Sequence, residues 1–309
     1  MALTIGIDVG GTNIRFGVFN QTQLIEEIRL DSNLSKLCGE LLPEHASYEI
    51  VRILSSGIIH IIEKNQPIQS VGIGFPGFIN PDSKKIVASP NLPGLSYFNL
   101  AGELSRILGL PFTLENDANA AAYGEYILAG KPEGGLVYLG LGTGVGGGLV
   151  MDGKVFTGQQ GCAMEVGHII IEPNGRLCGC GNKGCMEQYA SASGIVISYF
   201  NATQNNLTAA QIAKLAGEGD QHAIAAYLLA ANALAQALAS IVKVVDIKNV
   251  VIGGGVAGAW PLMKVAFMQR FEADLIPVLR NTISIKISNA NDRAGMLGAA
   301  MLSADSVST

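Results

Sequence analysis

The sequence predicts an α/β protein. β-rich runs alternate with helical periodicities along the chain, a strand–glycine turn–strand device occurs twice, and the composition suits a large buried core. Hydrophobic residues make up 49% and charged residues 15% of the 309 residues, with a mean hydropathy of +0.34. Such a chain is folded rather than disordered and long enough for two domains.

The elements follow in order. Leu3 to Phe19 reads LTIGIDVGGTNIRFGVF, two β-rich runs around a Gly-Gly-Thr turn, which predicts a hairpin with Asp8 near the end of its first strand. The amides of Gly10, Gly11 and Thr12 line the turn and suit an anion. The nearby acid makes sense if that anion arrives with Mg²⁺. Tyr48 to Asn65 has helical periodicity, and Ser70 to Phe75 reads as a strand ending at Pro76-Gly77. After a loop at 89–94, Leu100 to Leu108 reads as a helix, Pro111 to Leu114 as a strand and Ala118 to Ala129 as an Ala-rich helix.

Asp117 stands where that strand meets that helix, a place open to two readings: a helix N-cap, or a ligand-facing acid at a strand's carboxyl end. Asn116 beside it offers a donor and an acceptor to a hydroxyl-rich ligand. Gly135 to Asp152 repeats the strand, Gly-Thr-Gly turn and strand, so the chain reads as an internal duplication with two phosphate-facing loops. A third turn, Gly253-Gly254-Gly255, follows the strand Asn249 to Ile252, and the next helix is expected to begin near Ala259 with Pro261 in its first turn.

The most specific stretch is Glu165 to Glu187, EVGHIIIEPNGRLCGCGNKGCME. His168, Cys178, Cys180 and Cys185 are the ligand types zinc prefers, and four of them fill a tetrahedral shell, so the site is structural. Glycines at 175, 179, 181 and 184 let the loop bend around one ion. Free thiols or a disulfide are the alternatives, although Cys178 and Cys180 are too close for an easy bridge. The loop's purpose then lies in the acids that flank it, Glu165 and Glu187. Cys38 and Cys162 read as buried free thiols of a reducing compartment.

The net charge of −5, with no basic run, argues against nucleic acid and anionic membrane as partners. The N-terminus reads as a strand rather than a signal peptide, which suits a cytoplasmic protein. His222 to Val245 is the longest apolar run. Asn232, Gln236 and Ser240 form a polar stripe along it, so it reads as a buried helix and not a membrane span. His45, His60 and His222 stand alone and read as surface or packing residues. The 39 glycines, concentrated in turns, suggest backbone approaching phosphates.

DVGGT at 8–12, GFPG at 74–77, ENDANAAA at 115–122, GLGTGVGGG at 140–148, EVGH at 165–168, CGCGNKGC at 178–185 and IGGG at 252–255 together resemble the ROK family of repressors and sugar kinases, over essentially the whole chain. The resemblance implies an actin-like ATPase fold (the duplicated ribonuclease H-like kind), two α/β domains around a cleft. The expected domains are 1–117 with the C-terminal helix 294–309, and 118–293 with the zinc loop. It implies ATP, Mg²⁺ and structural Zn²⁺ as cofactors, a hexose phosphorylated at its 6-hydroxyl (glucose first, with fructose, mannose or an N-acetylhexosamine as alternatives), and a homodimer.

Position by position, the resemblance makes Asp117 the catalytic base and Asn91, Asn116, Glu165, His168 and Glu187 the sugar contacts. Asp8, Gly11 and Thr12 match its first phosphate loop, with Gly10 in the same turn. Thr143 and Gly144 match the second, and Gly254 and Gly255 the adenosine side. Asn13 stands where many members carry Lys, and Met164 where Gly is common. A sugar-responsive repressor and a non-kinase ATPase of the same superfold are the rival functions. The first lacks room for a DNA-binding domain ahead of Asp8, and the second gives the zinc-bracketed acids no role.

Overall fold

The computed structural model describes residues 2–290 and 293–308. Its first half contains β1 (Leu3–Val9), β2 (Asn13–Asn20), β3 (Gln23–Asp31), α1 (Leu34–Glu40), α2 (Pro43–Lys64), β4 (Ile68–Phe75), β5 (Phe78–Ile79), β6 (Ile86–Ala88), β7 (Ser96–Phe98), α3 (Leu100–Leu108), β8 (Phe112–Asn116) and α4 (Asp117–Leu128). The second contains β9 (Leu136–Leu141), β10 (Val145–Met151), β11 (Lys154–Val155), α5 (Glu187–Ala190), α6 (Ala192–Thr203), α7 (Ala209–Gly217), α8 (Gln221–Val245), β12 (Asn249–Gly253), α9 (Trp260–Asp274), β13 (Ser284–Ile287) and α10 (Arg293–Ser308).

Two five-stranded sheets run β3-β2-β1-β4-β8 and β11-β10-β9-β12-β13. The two orders match strand for strand, which is the duplication expected from the repeated glycine turns. In the first sheet β1, β4 and β8 are parallel while β2 and β3 run antiparallel. In the second, β12 lies parallel to both β9 and β13. A third, small sheet joins β5, β6 and β7.

The chain forms two compact units, residues 1–133 with 148–163 and 290–309, and residues 134–147 with 164–289. This division departs from the boundary expected at Asp117, because α4 belongs with the first unit. The reason is close packing of small residues. A methyl built on Gly124 of α4 would strike the Ala294 carbonyl of α10, and one on Gly298 of α10 would strike the Ala120 carbonyl of α4. Tyr123 of α4 also donates to Asp305 of α10 at 2.5 Å.

The same helix lies on the sheet of the first unit. A side chain on Gly6 of β1 or Gly72 of β4 would meet the Met296 or Ala299 carbonyl of α10. These strand glycines, unlike those of the turns, admit a helix to a sheet. Gly72→Ala should therefore overpack the core and cost about 2–3 kcal/mol, seen as a lower midpoint in denaturant with little change in slope. The core beneath holds Ile5, Ile7, Val71, Ile73 and Leu114 with Ile50, Leu54 and Ile58 of α2, all 1% exposed or less.

In the second unit α8 begins at an N-cap, Asp220, whose carboxylate accepts from the Ala223 amide at 2.7 Å. By length and composition this helix could cross a membrane, but 56% of its apolar window is buried inside the protein. Gln236 of its polar stripe donates to the Ile171 carbonyl and accepts from Arg270, so the stripe serves internal packing. α9 starts at Trp260 with Pro261 in its first turn, as the glycine turn before it implied. Cys38 is buried as expected. Cys162 is exposed, because it sits in an irregular segment after β11 where no element covers it.

Candidate active site

In the first unit the candidate residues gather at the carboxyl ends of three parallel strands. Asp8 of β1 pairs in register with Gly74 of β4, and Gly74 with Glu115 of β8. Beyond Asp8 the turn is tightly fixed. The Gly10 amide donates to the Asn13 carbonyl at 2.8 Å. The Gly11 carbonyl accepts from Ser35, and the Thr12 carbonyl from Ser32 and Asn33. In a trans peptide N–H and C=O point oppositely, so holding the Gly11 carbonyl against α1 turns the Thr12 amide outward, as an anion site requires. Ser35 also donates its hydroxyl to the carbonyl of Asn91, whose side chain stands exposed in the loop between β6 and β7. Asn13 donates its amide to the Thr12 hydroxyl, and its Oδ1 accepts from the Arg29 guanidinium at 3.0 and 3.1 Å.

The structure separates the two readings of Asp117. The N-cap of α4 is Asn116, whose Oδ1 accepts from the Asn119 amide at 3.1 Å while Nδ2 donates to the Gly77 carbonyl. Asp117 is the first helical residue and accepts from the Ala118 amide at 2.9 Å. Burial pushes its carboxyl above the usual carboxylate range, opposed by the Ala118 amide, its own amide and the Asn116 side chain. A carboxylate whose pKa is raised by burial is a stronger base than an exposed one, which suits it to accept a proton. Sequence alone pointed to Asn116 as a ligand amide, whereas here its groups first cap and brace the strand–helix junction.

In the second unit the four expected metal ligands converge. Their donor atoms lie within 4.8 Å of one another. Cys180 Sγ is 3.7 Å from Cys185 Sγ, and Cys178 Sγ is 3.6 Å from His168 Nδ1. The edges of a zinc tetrahedron are about 3.8 Å between sulfurs and about 3.6 Å from sulfur to nitrogen, so the donor set fits that ion and is too open for a disulfide. Without a cation, burial and the neighbouring thiols push Cys185 up to about 12. A cluster of thiols that cannot all ionise alone is the chemistry a divalent metal resolves.

The loop is a narrow hairpin, with Cys178 donating to the Asn182 carbonyl and Gly181 to the Cys178 carbonyl. Gly181 (φ 92°) and Gly184 (φ 78°) take left-handed turns there, while Gly179 has open space and an ordinary φ, so only part of the glycine pattern is geometric need.

His168 turns Nδ1 toward Cys178 Sγ, and its Nε2 lies 3.9 Å from Glu165 Oε2. Met164 is held at φ 64°, a strained conformation for a residue with a side chain. Glu187 opens α5 two residues after Cys185, and its Oε2 accepts from the Val145 amide at 2.9 Å. The acid expected at the sugar is thus also engaged with the second glycine loop.

Arg176 escaped the sequence reading. Its guanidinium stacks 4.6 Å above the Tyr189 ring and donates to the carbonyls of Gln188 and Gly194 and to Ser198. It thereby ties the metal loop to α5 and α6. Gln188 reaches back to Cys178 Sγ at 3.7 Å, a support for the ligand shell. Arg176→Leu should cost about 2–3 kcal/mol by removing the donor to the Gln188 carbonyl and the stacking on Tyr189, read as a lower midpoint of thermal unfolding.

A cavity of about 440 Å³ in this unit is lined by Gly142, Thr143, Ala192, Ala209, Tyr227 and Gly255 among others. It joins the second and third glycine turns on one hollow with apolar walls. Tyr227 donates to the Ala209 carbonyl, and burial pushes its phenol up to about 12.

Residues 4–306 match the ROK family model. The chain belongs to the ROK family. Among its relatives, the glucokinase of Thermotoga maritima is 31% identical over 96% of each chain. The N-acetylmannosamine kinase of Escherichia coli (strain 55989) is 33% identical over 97% of each. The crystal structure of a ROK family glucokinase from Streptomyces griseus in complex with glucose and AMPPNP superimposes with a TM-score of 0.82 at 30% identity, covering 98% of this ROK chain and 100% of the other. The fold is the actin-like ATPase fold of the ROK sugar kinases.

Proposed function

We propose that this ROK protein is an ATP-dependent hexose kinase that transfers the γ-phosphoryl group to the 6-hydroxyl of a hexose, with glucose as substrate. The observation that carries this reading is Asp117. It is a carboxylate on the first turn of a helix at the carboxyl end of a parallel strand, with its pKa raised by burial. In this role it takes the hydroxyl proton as the sugar oxygen bonds to phosphorus and ADP departs. Asn91, Asn116, Glu165, His168 and Glu187 hold the remaining sugar hydroxyls.

Asp8 with Gly10, Gly11 and Thr12, and Thr143 and Gly144, face the phosphates, while Gly254 and Gly255 lie on the adenosine side. Mg²⁺ bound with the triphosphate supplies charge neutralisation, and Asp8 is the acid placed to hold it through water. His168, Cys178, Cys180 and Cys185 hold a structural Zn²⁺ that keeps the acids in place. The enzyme is assigned to the cytoplasm as a homodimer.

The E. coli relative supports one further reading, an N-acetylhexosamine as acceptor, because its identity of 33% is as high as the 31% of the Thermotoga maritima glucokinase or slightly higher. Fructose and mannose belong to the same comparison. ADP release measured with ATP, Mg²⁺ and a panel of these sugars decides among them. Glucose should give the highest kcat/KM. A panel in which no sugar raises ADP release above the sugar-free rate would refute the kinase assignment.

A further inference from the structure

The segment that follows the metal loop holds the second glycine loop by three hydrogen bonds. The Ala192 amide donates to the Gly142 carbonyl at 2.9 Å. The Ser193 hydroxyl donates to the Thr143 carbonyl at 2.9 Å. The Val145 amide donates to Glu187 Oε2 at 2.9 Å. Within the loop, Gly142 donates to the Gly144 carbonyl at 3.0 Å. Each peptide from Gly142 to Val145 is therefore held by at least one of its two polar groups.

The orientation matters more than the count. Ala192 and Ser193 open α6, whose cap is the Ser191 hydroxyl. The first amides of a helix have no intrahelical partner, and here one of them is spent on Gly142. With the Gly142 and Thr143 carbonyls drawn toward α6, the amides sharing those peptides, Thr143 N–H and Gly144 N–H, point the opposite way. Among the described residues neither amide has a protein acceptor. Gly142, Thr143 and Ala192 all line the cavity described above. A methyl on Gly144 would displace the Glu187 carboxylate from its place beside the loop. Two outward amides beside a cavity, with their carbonyls fastened behind, form a preorganised phosphate cradle.

We propose that Ser193 is a positioning residue for the nucleotide. It holds the Thr143 carbonyl so that the Gly144 amide faces the phosphates of the phosphoryl donor, while Glu187 holds the other end of the loop. The inference rests on the kinase reading for the identity of the nucleotide, but the clamp itself stands on the hydrogen bonds. It makes nucleotide affinity depend on a serine that carries no chemistry.

Titration of AMPPNP with Mg²⁺ into the full-length protein, without sugar, tests this. Ser193→Ala should weaken AMPPNP binding roughly 3- to 10-fold, the worth of one hydrogen bond. Ser193→Thr, which keeps the hydroxyl, should restore it. In steady state Ser193→Ala should raise KM for ATP by a similar factor and leave KM for the hexose within about twofold. Ser191→Ala, which removes the α6 cap and a bond to the Glu187 backbone but no bond to the loop itself, should lower the unfolding midpoint and leave that split absent.

Unchanged AMPPNP affinity in Ser193→Ala, or an equal rise in both KM values, would overturn the clamp even if the parent enzyme phosphorylates glucose. Weakened AMPPNP binding in a protein that phosphorylates no sugar would uphold the clamp and refute the hexose reading.

Discussion

Asp117→Asn is expected to lower kcat by about a thousandfold while hexose affinity stays within a few-fold of the parent, because the lost group acts on a proton and not on binding. Asn keeps the oxygen that accepts from the Ala118 amide, so the helix start survives. The pH profile sharpens the test. Burial holds the Asp117 carboxyl above its ordinary value, so the acid limb of kcat/KM should lie above the usual carboxylate range in the parent and vanish in the variant. The sign for stability follows by linkage. A carboxyl with a folded-state pKa above its unfolded value stabilises the fold while protonated and loses that contribution as pH rises through the folded pKa. Asp117→Asn should thus unfold at an equal or higher temperature than the parent at neutral pH, with the difference closing in acid. Normal turnover in the variant would remove Asp117 from the chemistry.

Cys180→Ser is expected to produce the largest loss of stability. Metal analysis should find about one zinc per chain in the parent and almost none in the variant. Structural zinc contributes roughly 10–16 kcal/mol in isolated peptides, and a fraction of this, at least about 3 kcal/mol, should be missing here. Activity should fall more than tenfold, since Cys185 lies two residues ahead of Glu187, whose carboxylate holds the Val145 amide. Removing zinc from the parent with a strong chelator should reproduce both effects, and restoring zinc should reverse them. A parent protein free of zinc yet stable and active would contradict the assignment of these four ligands.

The parts of the molecule that were legible in the sequence are those whose signal is local. α3 spans Leu100–Leu108 as its periodicity indicates, and the β1–β2 hairpin follows its Gly-Gly-Thr turn. The metal cluster was legible because four ligand types crowd into one stretch. The division of the chain was not, because α4 and α10 meet through Gly124, Ala294, Ala120 and Gly298, small residues far apart in sequence whose value lies in what they lack. Arg176, Ser193 and the cavity walls at Ala209 and Tyr227 were missed for a related reason. Arg176 lies in the metal loop and the others on three separate helices; none carries a motif, and their roles appear only when carbonyl directions are known. The cap of α4 illustrates the limit at a single residue. Asn116 and Asp117 are both good cap residues, and only the hydrogen bond from Asn119 to Asn116 tells them apart.

The central claim is transfer of phosphorus from ATP to a sugar oxygen. Phosphorus NMR of a reaction containing the protein, ATP, Mg²⁺ and glucose tests it most directly. The account predicts a phosphomonoester resonance of glucose 6-phosphate growing in step with ADP. Growth of inorganic phosphate at a rate indifferent to glucose, with no sugar ester, would contradict it.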